Sequence, residues 1–384
     1  MVLHHLLQWI ALNFTQCEDK ARNVLGGKPA DADGIGQNGI DYLDQPQLHP
    51  DFWDAVVLFV LQGRTEQARN LLRLHSDMDS DPYVSIDELL RKMPLYGGAA
   101  SQSVADFEFR WRHWQTEVKA RIDEGDFAAD SKLGSIAGIL SGAESAFVGE
   151  GNPQELCETW YEWMVGKLLF TNPTVKYYDL SHYAEEAISK FGGLSSMTAL
   201  DSVILAAIEM DIPQVMNELC LILDNFWFPA HLMDLLYHAD KLDQPSSSGN
   251  NQFGIGIEGC NSEASHPGEA LREFLLLDYS TCLMSHKSLW QIGVLYLDHC
   301  PVQGRHRLEL LLERTPVATQ KKAEKVVSIA SERGMISVVS STCRVMASKA
   351  LKQGRIGTAM AWGIKSQVIV QIVTVGLTRL GGSP

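Results

Sequence analysis

Apolar residues recur along this chain at helical spacing, in short runs that each end in a turn. Trp53, Val56, Val57, Val60 and Leu61 stand at i, i+3, i+4, i+7 and i+8 and predict one buried helix face. Gly63 then breaks the run, because glycine readily takes the left-handed conformation that ends a helix. Ala68, Leu71 and Leu72 repeat the spacing, as do Ala323, Val326, Val327 and Ala330 near the other end. The tripeptide Gln-Gly-Arg occurs at 62–64, 303–305 and 353–355, each time between two such runs. It reads as the hinge of a helix–turn–helix unit, although the copies are unevenly spaced. Helix starts are marked too. Asn152-Pro153-Gln154-Glu155 offers a cap, a proline and an acid, and Asn172-Pro173 repeats the cap–proline pair.

Strand signals are confined to one β-branched run, Val368 to Val375. The pattern predicts roughly twelve to fifteen helices, too short to be stable alone and obliged to bury a face on their neighbours. The expected fold class is all-α, an α-solenoid of stacked helix pairs. Two stretches, 26–50 and 243–269, are rich in Gly, Pro, Ser, Asn and Asp and read as flexible loops.

Composition narrows the function classes. Hydrophobic residues make up 45% and charged residues 21% of the 384, enough for a core and unlike a disordered chain. The net charge of −15 argues against sequence-independent nucleic-acid binding, which needs a basic surface. The charge is uneven. From Cys300 onward there are 13 Lys and Arg against 4 Asp and Glu, while the first 299 residues hold 19 against 43. Solvated faces of opposite bias explain this most simply; a basic end that docks on an acidic neighbour is the sharper reading. The seven cysteines are scattered without a CxxC pair, which suits reduced thiols in a cytosolic or nuclear compartment. No apolar run approaches the length of a membrane span. The N-terminal segment MVLHHLLQWIALNF lacks the marks of a signal peptide and reads as a core helix, so that the chain starts in mid-fold.

Chemical motifs are weak. Residues 34–39 and 254–259 both fit G-x-G-x-x-G, yet each lies in a polar loop with no strand before it. His231, Asp234 and His238 share a helical face and could touch a metal, but no further ligand completes the set. Phe107, Phe109, Trp111 and Trp114 alternate with Arg110 and Arg112, as in some single-strand binders. On a helix, however, Phe107, Trp111 and Trp114 share a face that the arginines leave, so core packing is expected. Phe226-Trp227-Phe228 before Pro229 reads as a wedge between helices.

These residues also carry a resemblance. Phe52-Trp53 through Gln62-Gly63-Arg64, Trp111-Arg112-His113-Trp114, Phe226-Trp227-Phe228, Ser288-Leu289-Trp290, Cys300-Pro301, Gly304-Arg305 and Ala361-Trp362 occur in an order that resembles the nucleoporin-eighty-five family. That family supplies scaffold subunits to the Y-shaped complex of the nuclear pore and shares the ancestral coatomer element fold. The resemblance spans about residues 45–366. It implies a single irregular solenoid over 1–366 with a folded-back trunk and a crown. Its first trunk helices would lie at about 1–75, the crown at about 80–242 and the returning trunk at about 270–366, with a divergent tail at 367–384. It implies a non-enzymatic scaffold at the nuclear pore, in the nuclear envelope, without cofactors and supporting transport of protein and mRNA. Its partners would be a β-propeller nucleoporin and other α-solenoid nucleoporins. Nucleic acid would not be bound directly, and membrane would be reached only through the assembled coat.

Trp53, Gly63, Arg64, Trp111, Trp114, Trp227, Trp290, Pro301, Gly304, Arg305 and Trp362 carry the family pattern and read as structural, the tryptophans filling the core. The partner-binding residues are not legible. Family members carry an N-terminal β-segment that completes an open propeller and a helical tail; neither is recognisable here, which suggests a shortened form. The alternatives are a vesicle-coat solenoid and a helical metal-dependent enzyme built on His231, Asp234 and His238.

Overall fold

The computed structural model describes residues 2–26, 45–96, 103–148, 153–241 and 267–366. Among them are nineteen α-helices, four short 3-10 turns and no strand, which is the all-α class expected. The helix number exceeds the roughly twelve to fifteen read from periodicity, because several are only two or three turns long. The two G-x-G-x-x-G stretches, the β-branched run and most of both long loops lie outside the described residues. At the loop margins the chain is helical: one helix runs to Gly26 and another starts at Pro267. The chain divides into two compact units, Met1–Met210 and Asp211–Pro384.

The first unit holds α1 (Val2–Asn13), α2 (Gln16–Gly26), α3 (Asp51–Leu61), α4 (Thr65–Leu72), α5 (Asp81–Lys92), α6 (Val104–Asp123), α7 (Ser131–Ser141), α8 (Pro153–Leu156), α9 (Trp160–Thr171), α10 (Leu180–Lys190) and α11 (Ala199–Ile208). Sequence neighbours pack on one another: α2 on α3, α3 on α4, α6 on α7 and α9 on α10. Two helices form the centre. Every residue of α9 from Trp160 to Phe170 is buried. Helix α3 is buried nearly all round, at Phe52, Ala55, Leu58 and Phe59 as well as at Val56, Val60 and Leu61. The single stripe expected from 53, 56, 57, 60 and 61 is therefore corrected: Trp53 and Val57 are only half-buried.

A helix in the centre of a core has no wet face for its polar residues. Lys167 of α9 is accommodated by ion pairs to Glu186 at 2.7 Å and Glu144 at 3.0 Å, with its ammonium over the Trp163 ring. Thr159 caps the start of α9 through the Glu162 N–H. Pro153 opens α8, as expected. Asn172-Pro173 does the opposite of what was expected. Asn172 closes α9, and its side chain donates to the Tyr183 hydroxyl at 3.2 Å.

The second unit holds α12 (Ile212–Ile222), α13 (Trp227–His238), α14 (Pro267–Ser285), α15 (Trp290–Asp298), α16 (Gly304–Arg314), α17 (Gln320–Glu332), α18 (Ile336–Lys352) and α19 (356–366). Again each helix lies on the next, from α12 against α13 to α17 against α18. Its core runs from Met216 to Trp362 and includes Ala323, Val326, Val327 and Ala330, the face read from periodicity. This packing is what stacked helical pairs give, with each layer burying the faces of its neighbours.

Candidate partner-binding surfaces

In the first unit Gly63 and Arg64 make the α3–α4 turn. Gly63 has φ +68°, and the methyl of Leu169 lies 3.2 Å from where a Cβ would stand. Arg64 is half-buried. Its guanidinium donates to Glu18 at 2.7 Å and lies over the Phe59 ring, 5.0 Å from its centroid. Gln62, one residue earlier, accepts from the Cys17 thiol and donates to the Phe14 carbonyl at 3.0 Å. Burial pushes the Cys17 thiol above its ordinary range, so it serves as a packed donor rather than a nucleophile.

Beside this turn is a groove of about 410 Å³, lined by Leu3 and Leu7 of α1, Gly63, Tyr96, Phe107 and Leu169. Its walls are mostly apolar; His4, Gln8, Gln62 and Arg64 supply the polar lining, and of these Gln62 and Arg64 are held by Cys17, Phe14 and Glu18. It can accept an apolar side chain, and the one formal charge in its lining, Arg64, is paired with Glu18. Sequence reasoning missed it because its walls come from positions as distant as Leu3 and Pro173.

The other aromatic motif residues of this unit are core. Trp114 is buried and donates its indole N–H to the Leu89 carbonyl at 2.9 Å. Trp111 packs on it at 5.0 Å, its own N–H without a partner among the described residues. Arg110 and Arg112 are exposed, as the helical spacing predicts. Trp53 stands edge-on to Phe52.

In the second unit Trp290 is buried, with the Lys322 ammonium over its ring. Pro301 is exposed and follows the end of α15. Gly304 opens α16 so close to α15 that a Cβ would fall 2.1 Å from the Leu297 carbonyl oxygen. Arg305 donates to the Arg333 carbonyl at 2.9 Å. Trp362 is buried beneath Lys365.

Trp227 is the exception. The expected wedge is corrected: Trp227 is 53% exposed in the first turn of α13, Phe228 is exposed beside it, and only Phe226 is half-buried. The Trp227 ring lies 5.0 Å from His231, which meets Tyr279 and Tyr296 edge-on. These rings form a partly wet aromatic surface of the kind that protein interfaces favour.

The same geometry tests the metal reading. One ring nitrogen of His231 contacts the Trp227 carbonyl at 2.5 Å and the other the Tyr296 hydroxyl at 2.8 Å. Asp234 accepts from Arg272 at 2.6 Å, and His238 stands 3.6 Å from that carboxylate. His231 and Asp234 thus point their donors at protein groups. Among the described residues no three His, Cys, Asp or Glu gather as a metal site.

One carboxyl has the strength of a general base. Burial pushes Glu162 up to about 7, but Glu162 does not line the small cavity of about 200 Å³ that its neighbours Glu158 and Thr159 border with Asp201. Its Oε2, however, accepts the Glu158 N–H at 3.0 Å. The side chain completes the N-terminus of α9, and the nearby Cys157 thiol is itself raised well above its ordinary range by burial. No helix among the described residues is long and apolar enough to cross a membrane.

Comparison with known proteins agrees with this non-catalytic geometry. A family model described as Nup85 Nucleoporin matches residues 1–375. Nuclear pore complex protein Nup85 of Mus musculus is 37% identical over 372 residues, covering 95% of this chain and 51% of that protein. The Danio rerio protein of the same name is 36% identical over 370 residues. Nuclear pore complex protein Nup75 of Drosophila melanogaster is 24% identical over 381 residues, covering 98% of this chain and 51% of its own length. The chain spans about half the length of the curated relatives it matches.

Proposed function

The chain belongs to the Nup85 nucleoporin family, and from that membership we propose that it acts as a structural scaffold subunit of the nuclear pore complex, at the nuclear envelope. The observation that carries the proposal is the family match across residues 1–375. The structure supports it through two stacks of helices with apolar surfaces left open and no catalytic constellation gathered among the described residues.

In this reading the partners are a β-propeller nucleoporin and other α-solenoid nucleoporins. Nucleic acid is not bound directly, and membrane is reached only through the assembled coat. Transport of protein and mRNA is supported indirectly, by holding the pore together. The groove beside Gly63 and the aromatic surface around Trp227 are the faces we assign to partners. The motif residues Trp53, Gly63, Arg64, Trp111, Trp114, Trp290, Pro301, Gly304, Arg305 and Trp362 hold the helices in place.

The test is size-exclusion chromatography of the chain alone and mixed with the open β-propeller subunit of the pore complex, with circular dichroism on the same fractions. Co-elution of a helical chain with the propeller is expected. Separate elution of a well-folded chain would remove the propeller from the proposal. In cells, a tagged chain should be captured with pore scaffold proteins. Recovery with cytoplasmic coat proteins instead would overturn the scaffold reading.

A further inference from the structure

One histidine of the first unit ties the end of α4 to α5 and α7 through a chain of hydrogen bonds. His75 lies half-buried in the loop between α4 and α5. Its Nδ1 accepts the Asp77 N–H at 3.1 Å. Its Nε2 stands 2.9 Å from the hydroxyl of Tyr83, a buried residue of α5. That hydroxyl donates to Asp130 Oδ2 at 3.1 Å. Asp130 caps α7, and its other oxygen accepts the Lys132 and Leu133 N–H groups at 2.8 and 3.3 Å. A carboxylate only accepts, so the Tyr83 proton points to Asp130. The Tyr83 oxygen is then left to accept, and Nε2 carries the ring proton. A neutral ring with its proton on Nε2 satisfies every member of the chain.

A second proton has one place to go, Nδ1, and there it meets the Asp77 N–H head-on. Two donors cannot share that contact, so the cation must give up the turn. The rest of the loop depends on the same two residues. Met78 donates to the His75 carbonyl at 3.2 Å, and Ser80 donates to the Asp77 carbonyl at 2.9 Å. We propose that His75 is a proton-operated latch on the α4–α5 loop, closed while the ring is neutral and opened by the imidazolium. Opening frees residues 74–80, which carry the exposed apolar side chains Leu74 and Met78. It also draws the ring away from α3, where it faces Trp53 at 5.9 Å and Phe52 at 6.2 Å between centroids.

The groups around the ring act in both directions. Burial disfavours the cation and is the largest influence. Asp77 in the loop and Asp130 on α7 favour the cation, as does the Tyr83 ring stacked 4.4 Å away. From α3 the ring meets the uncharged Phe52 and Trp53. The balance lowers His75 below its ordinary 6.5. The latch is therefore complete above pH 6.5 and is lost as pH falls through the ring's own lower value. Tyr83 keeps its proton throughout, because burial holds its hydroxyl above the ordinary range.

The experiment takes two readings on the full chain. Long-range proton–nitrogen NMR of the imidazoles at about pH 7.5 reads the tautomer, and His75→Asn identifies the His75 signals. The proton is expected on Nε2, and a proton on Nδ1 would overturn the proposal. Peptide-resolved amide exchange over residues 74–80 is then followed down to about pH 4.5, corrected for the intrinsic pH dependence of exchange. Protection of the Asp77 amide should fall about fivefold or more as His75 titrates. His49 makes the same contact with the Asp51 N–H at 3.0 Å, so the response is read at 74–80 and not from the whole chain.

The decisive arm is the His75→Asn chain. An Asn oxygen can accept the N–H two residues on, as the imidazole does, but it does not titrate. Loop protection in this variant should stay flat over the same pH range. An equal loss in parent and variant would show general loosening in acid and overturn the latch. So would a His75 that titrates while the loop stays protected, or a ring that stays neutral down to about pH 4.5.

Discussion

Gly304 and Gly354 occupy the same place in two copies of Gln-Gly-Arg, yet different forces require glycine at each. At Gly354 the backbone is left-handed, φ +72°, with open space around the missing side chain. At Gly304 the backbone is helical, but the Leu297 carbonyl occupies the space a Cβ would need. Gly354→Ala should therefore cost about 1 kcal/mol, the strain of a left-handed residue. Gly304→Ala should cost about 3 kcal/mol, because a backbone oxygen cannot swing aside as a side chain can. Urea denaturation of the two variants checks the order, and equal losses would contradict it. Trp290→Ala, which empties a site only 4% exposed, should cost about 3–5 kcal/mol in the same assay. Glu162 gives a pH signature. Its carboxyl ionises at about 7 when folded against 4.5 ordinarily, so the folded state holds the proton longer. Stability from this group is present below about pH 4.5 and is lost as pH rises through about 7. Glu162→Gln cannot ionise, and relative to the parent it should gain about 3 kcal/mol between pH 4 and pH 8. A difference independent of pH would show that the carboxyl is not desolvated.

Helices reveal themselves in sequence only where one side is wet. The Ala323, Val326, Val327 and Ala330 face of α17 is amphipathic, and periodicity located it correctly. Helix α9 is buried all round and α3 nearly so, so their apolar residues follow no single stripe, and the face assigned to α3 was too narrow. Trp227 misled for a related reason: residue type marks it as core, but exposure depends on what the fold places over it. The ion network between α5 and α6 was equally hidden, since it joins positions with no local signature. Arg121 donates to Glu88 at 2.7 Å and Glu117 at 2.6 Å, while Lys92 pairs with the same two acids at 3.0 Å. These partners hold the Glu88 carboxyl down at about 2, chiefly through the hydrogen bond from Arg121. Arg121→Met should return Glu88 toward its ordinary value of 4.5, a shift that carbon-detected NMR titration reads directly. A Glu88 that still titrates near 2 in the variant would assign its stabilisation to Lys92 alone. In the parent this contribution is complete above pH 4.5 and is lost as pH falls through about 2.

At the scale of the whole chain, charge and core divide in the same place. One core gathers residues from Leu3 to Ile188, the other from Met216 to Trp362. Residues 1–210 hold 16 Lys and Arg against 31 Asp and Glu, while residues 211–384 hold 16 of each. The entire net charge of −15 thus belongs to the first unit, and the second is neutral but split between its ends. Like charges confined in a compact unit repel one another, and salt screens that repulsion over a Debye length of about 8 Å at physiological strength. The first unit also contains ion pairs that salt weakens. Its acids outnumber its bases about two to one, however, so relief of repulsion outweighs that loss. Raising salt from low to physiological strength should therefore slow amide hydrogen exchange in the cores of α3 and α9 more than in those of α15 and α17. Peptide-resolved exchange by mass spectrometry on the full chain separates the two. Equal slowing in both units would mean that salt acts through general hydrophobic strengthening. Faster exchange in the first unit would mean that its ion pairs, rather than its excess of acids, dominate its electrostatics.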